Sequence, residues 1–90
     1  MITDGHRPAW RNGMIGCECG WKPAKPAARR SMQHVSHLAH RRKLKLQPVN
    51  YQWPDETYGV EGALSVGSYQ KLAGHEWVDG QWIPRRSSPN

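Results

Sequence analysis

Trp10-Arg11-Asn12-Gly13-Met14-Ile15-Gly16-Cys17-Glu18-Cys19-Gly20-Trp21 is the stretch on which the reading of this chain turns. Asn-Gly accepts the positive φ values of a type I′ turn, so residues 10–15 read as a two-residue hairpin with Trp10 opposite Ile15. The second strand runs into Gly16-Cys17-Glu18-Cys19-Gly20, where the flanking glycines let the backbone bend and aim both sulfurs at one centre. A single residue separates Cys17 from Cys19, a spacing that strains an intramolecular disulfide but suits two thiolates on one metal ion.

Pro23 and Pro26 interrupt the chain after Trp21, and residues 27–44 then contain neither Gly nor Pro, which predicts the one long helix. At about 100° per residue, Ala28, Met32, Val35, Ala39 and Leu46 share one face, and His37, His40 and Leu44 share another. Structural zinc sites commonly combine two Cys from a hairpin with two His from one helical face. The order hairpin, knuckle, helix is that of a short ββα finger, with Cys17, Cys19, His37 and His40 as ligands of a structural Zn2+. His34, one turn earlier, is the alternative fourth ligand. Both Cys-x-Cys and His-x-x-His are tighter than the usual finger spacings. The competing reading, ordinary buried thiols and solvated histidines, must treat three His at successive helical turns as accident.

Beyond Pro48, residues 49–74 lack sustained periodicity, apart from a short helical turn near 68–73. Asp79-Gly80 then separates two short apolar runs, predicting a second hairpin with Trp77 opposite Trp82 and Val78 opposite Gln81. The expected fold is small α+β and one domain overall. It comprises a zinc-stapled ββα unit (1–47), an irregular wrap (48–74), a Trp hairpin (75–84) packed on the Ala28/Met32/Val35/Ala39 face, and a tail (85–90).

Ninety residues allow one small core and exclude multidomain enzymes. Leu, Ile and Val total 13 and Phe is absent, which is under the roughly 20% that with high net charge signals disorder. Five Trp and three Tyr, together with a metal, are the available substitutes. No stretch approaches a membrane span, and the first ten residues lack the apolar centre of a signal peptide, so a reducing, cytoplasmic location is expected.

Charge is uneven. Residues 1–50 carry ten Lys/Arg against two acids, whereas residues 51–90 carry three against five. Arg29, Arg30, Arg41, Arg42, Lys43 and Lys45 on or beside the helix are the expected phosphate contacts of a nucleic-acid binder. Neither HExxH nor a phosphate-cradling Gly-rich loop is present, and no small-molecule substrate or membrane partner is expected. The residual enzymatic reading is a metal-dependent nuclease with His34 as general base.

Trp10-Arg11-Asn12-Gly13, Cys17-Glu18-Cys19-Gly20-Trp21 and His37-Leu38-Ala39-His40-Arg41-Arg42-Lys43-Leu44 are similar to the CxCGW element and HxxHR helix of small uncharacterised actinobacteriophage proteins. The resemblance covers about the first fifty residues. It implies a phage accessory protein working in a bacterial cytoplasm, and it brings no activity with it. In that setting the alternative to nucleic-acid binding is a modulator that docks on a host protein through Trp53, Trp77 and Trp82, with Tyr51, Tyr58 and Tyr69 nearby.

Overall fold

Asn12 and Gly13 adopt φ values of 52° and 73° in the computed structural model, the left-handed pair that a type I′ turn requires. Residues 4–54 and 66–85 are described; Tyr58 lies outside them. The turn joins β1 (Pro8–Arg11) to β2 (Met14–Cys17), antiparallel, with Trp10 opposite Ile15 as the sequence predicts. The ladder continues one pair further, because the Glu18 N–H donates to the Arg7 carbonyl at 3.0 Å.

The long helix, α1, spans Arg30–Lys43, slightly shorter at each end than residues 27–44. Its N-terminus has no side-chain cap; what locates it is Gln33. This buried amide accepts from the Ile15 N–H (3.0 Å) and donates to the Ala27 carbonyl (2.9 Å), tying helix, hairpin and the segment before the helix together. At the other end, Leu46 N–H reaches the Arg41 carbonyl and Lys45 N–H the Arg42 carbonyl, both at 2.9 Å, with Lys45 at φ 61°. These are the paired bonds of a Schellman motif, with lysine in the position that glycine normally takes.

Helix α2 (Val66–Ala73) packs against α1 and against β3 (His75–Val78), which pairs with β4 (Gln81–Pro84) around Asp79-Gly80. Trp77 stands opposite Trp82 and Val78 opposite Gln81, as predicted, and the two indoles meet edge to face at 5.4 Å. The architecture among the described residues is therefore small α+β: two hairpins, two helices and a His/Cys group that can staple the first hairpin to α1. None of these helices is long and apolar enough to cross a membrane.

The face of α1 that packs inward differs from the expected one. Ala28 is exposed and Met32 is 41% exposed, while the buried residues are Gln33, His34, His37, Leu38 and Arg41. Apolar periodicity misses this face because four of its five side chains are polar and are buried with partners. Around Leu38 the core gathers Ile15, Val49, Tyr51 and Tyr69, with Trp10, Val35, Ala73 and Trp82 packed against it. Val35 is the member of the predicted packing face that does join the core. The second hairpin is anchored by the Trp82 indole N–H, which donates to the Leu46 carbonyl at 2.6 Å.

Left-handed backbone costs a lysine free energy that glycine does not lose. Lys45→Gly should therefore raise stability by about 0.5–1 kcal/mol, measured as a shift of the chemical denaturation midpoint at unchanged m-value.

Candidate metal centre

Three separate segments converge at the end of the first hairpin. The ladder that sets Pro8 opposite Cys17 runs on to Arg7 and Glu18, which leaves His6, the next residue, beside the Cys17–Gly20 turn. That turn brings Cys19 back beside Cys17 and His6. The knuckle is closed by the Gly20 N–H on the Cys17 carbonyl (2.9 Å) and the Cys17 N–H on the Trp21 carbonyl (3.0 Å), with Gly20 at φ 98°. Helix α1 supplies His40 from its last turn.

His6, Cys17, Cys19 and His40 each offer one donor atom, and the four atoms lie within 4.8 Å of one another. Cys17 Sγ is 3.7 Å from His6 Nδ1, and Cys19 Sγ is 3.4 Å from His40 Nε2. Metal–donor bonds of about 2.0–2.3 Å at tetrahedral angles give edges of about 3.3–3.8 Å, so two of the six edges are already in place. Two thiolates and two neutral imidazoles would cancel the charge of a divalent ion. The residues present thus fit a metal ion held entirely by protein ligands.

Burial pushes the Cys17 thiol up to about 11, against the opposing backbone hydrogen bond from Cys19. Burial likewise holds His40 below its ordinary value, helped by the charges of His6 and Arg41. The imidazole is thereby kept in its metal-binding neutral form, whereas Cys17 must give up a proton on binding. Trp21 stacks flat on His40, with centroids 4.7 Å apart and planes 11° apart, fixing the orientation of that ring.

Of the ligands expected from the sequence, Cys17, Cys19 and His40 come together; His37 and His34 are outside the group. His37 is fully buried, with Nδ1 2.8 Å from the Tyr51 hydroxyl, and burial drives it down to about 3. His34 Nδ1 is likewise 2.8 Å from the Tyr69 hydroxyl. Both rings point along the core side of the helix, where tyrosine hydroxyls receive them, and His6 occupies the fourth corner instead. The position of His6 two residues before β1, at the knuckle end of the hairpin, was the available signal.

What holds His6 in place is Arg41, a residue expected on the phosphate-contacting surface. Its side chain is 0% exposed. The guanidinium donates to both Asp4 carboxylate oxygens (3.2 and 2.7 Å), to the His6 carbonyl (2.7 Å) and to the Gln47 carbonyl (2.8 Å), and its burial keeps it from any phosphate. Asp4 also accepts from the His6 N–H at 3.0 Å, and the Arg41 bond holds its carboxyl below the usual range. Of the other expected phosphate contacts, Arg29, Lys43 and Lys45 are exposed. Arg42 is half-buried and donates to the Ala73 carbonyl (3.1 Å), and Arg30, also half-buried, sits 4.4 Å over the Trp53 ring. Trp53, expected on a partner surface, is 2% exposed and belongs to the interior; Tyr51 and Tyr69 are buried as well, and Trp77 and Trp82 are half-buried.

Compared with known protein families, curated proteins and solved structures, the chain matches none.

Two predictions follow from the geometry. His6→Ala and His40→Ala should each weaken divalent-metal binding by on the order of 100-fold, whereas His37→Ala should leave one metal per chain and act on stability alone; metal titration with competition by a chelator measures both. Arg41→Met strands the Asp4 carboxylate and two carbonyls, so it should cost about 3 kcal/mol, the lower end for a broken buried pair because Asp4 is partly solvated. The same variant should loosen metal binding tenfold or more by freeing His6.

Proposed function

We propose that this protein is a small, non-enzymatic zinc-binding module that binds nucleic acid through the basic surface around α1. The observation that carries the metal half is the convergence of His6, Cys17, Cys19 and His40. Mixed thiolate and imidazole donors favour zinc over hard cations, and four protein ligands leave no open position for a substrate, the arrangement of a structural site. A nuclease reading also loses its base, because His34 is buried against Tyr69.

The nucleic-acid half rests on charge. Net charge is +6 with a pI near 9.8, and Arg29, Lys43 and Lys45 remain exposed after Arg41 is withdrawn into the interior. Arg29, just before the first turn of α1, and Lys43, its last residue, stand at opposite ends of the helix, about 20 Å apart along its axis. Such a spacing suits contacts to phosphates along a backbone rather than base reading. From the motif resemblance alone we infer the setting, an accessory protein in a bacterial cytoplasm. Docking on a host protein ranks second, since Trp53 is internal and the Trp82 indole is engaged by Leu46.

Purified protein should carry one zinc per chain, and stripping it with a chelator should unfold the first hairpin and the start of the chain, because binding free energy here is folding free energy. Zinc-loaded protein should bind arbitrary duplex with a log–log salt slope of about −3, one unit per exposed cation engaged, and Lys43→Glu with Lys45→Glu should flatten it by about 2. Unchanged circular dichroism on chelation would remove the first half of the proposal, and salt-independent or absent duplex binding the second.

A further inference from the structure

A groove of about 320 Å³ opens beside the knuckle, between the first hairpin and the segment that leads to α1. Met14, Trp21, Pro23 and Pro26 give it apolar and flat surface, and Arg11 and Lys22 give it charge. Both cations are exposed, and neither is paired with a carboxylate among the described residues. Glu18 also lines the groove, but its carboxylate is taken by Arg7, through the backbone N–H at 2.8 Å and the guanidinium at 3.2 and 3.3 Å. The field in the groove is therefore positive. Met14 is 42% exposed, an apolar side chain at the hairpin turn that the core does not use.

Trp21 is central. Its stack on His40 covers one face and fixes the plane of the indole, the His37 ring meets it at 5.7 Å, and Trp21 is among the residues that line the groove. A rigid aromatic wall, a second apolar wall and two free cations form the combination on which unstacked bases and their phosphates are held. Duplex bases are paired and stacked, and so cannot enter. An acidic peptide would satisfy the cations but has no recurrent flat ring to place on Trp21.

We propose that this groove is a binding site for single-stranded nucleic acid, with one base laid between Trp21 and Met14 and the adjoining phosphates on Arg11 and Lys22. The proposal rests on the nucleic-acid reading above and narrows it: α1 supplies contacts common to any strand, and the groove adds a preference for unpaired ones.

Zinc-loaded full-length protein is titrated with oligo-dT and oligo-U, with a duplex of the same length, and with an oligoglutamate peptide, while backbone amide and indole N–H resonances are followed by NMR. The expected result is movement of the Trp21 indole and the Asn12, Gly13 and Gly20 amides with the oligonucleotides, and not with duplex. Because Trp21→Ala would also disturb His40, the test variant is Arg11→Glu with Lys22→Glu, both on the surface, checked for one zinc per chain. It should bind oligo-dT at least tenfold more weakly, with the log–log salt slope reduced by about 1.4 for two lost phosphates, and bind duplex within about twofold of the parent.

Oligonucleotide shifts confined to Arg29, Lys43 and Lys45, or an unaffected double variant, would overturn the groove and leave the nucleic-acid reading standing. Failure of both oligonucleotide and duplex to bind would overturn the two together. Groove shifts with oligoglutamate alone would overturn the proposal in favour of an acidic peptide.

Discussion

A single buried guanidinium organises this molecule. Arg41 has no exposed surface, and a charge so placed is tolerated only when its donors are matched. Asp4 supplies the countercharge, and the His6 and Gln47 carbonyls take further N–H groups. These acceptors come from the start of the chain and from the turn after α1, so satisfying one side chain fixes both segments against the helix. His6 reaches the metal centre, and Leu46 reaches Trp82, as consequences of that arrangement.

The same logic explains how a chain with 13 Leu, Ile and Val residues builds an interior. His34 and His37 are buried, each with a ring nitrogen 2.8 Å from a tyrosine hydroxyl. His34 also stacks on Tyr51 at 4.9 Å, and Tyr51 meets Tyr69 edge to face at 5.3 Å. Aromatic rings contribute large buried area, and each hydroxyl–imidazole bond offsets the cost of burying one ring nitrogen and one hydroxyl. Polar pairs and rings thereby replace much of the missing aliphatic volume, and the His6, Cys17, Cys19 and His40 group can add a staple at the edge.

Local turn chemistry was readable with little ambiguity. Asn12-Gly13 and Asp79-Gly80 set both hairpins and both registers, because a two-residue turn with two positive φ values leaves one way to pair the flanking strands. Cys17, Cys19 and His40 were readable as metal donors from residue type and spacing. Reading apolar periodicity along α1 failed at Ala28 and Met32, since the buried face is made of residues that such a pattern counts as surface. Arg41 failed for the same reason: a cation in a basic run looks solvated until its acceptors, 35 and 37 residues away, are known.

The sequence by itself determined the two hairpins, the long helix, the short helix near residues 68–73 and the presence of a Cys/His metal-binding chemistry, all of which depend on backbone preferences or donor types within a few residues. Only the tertiary structure decided which histidines share the centre, which cations reach solvent and which tryptophans are internal. Those choices depend on which distant segments meet. Three histidines one turn apart on α1 are nearly equivalent in isolation; Tyr51 and Tyr69 draw two of them inward, and Arg41 draws His6 up to complete the set with the third.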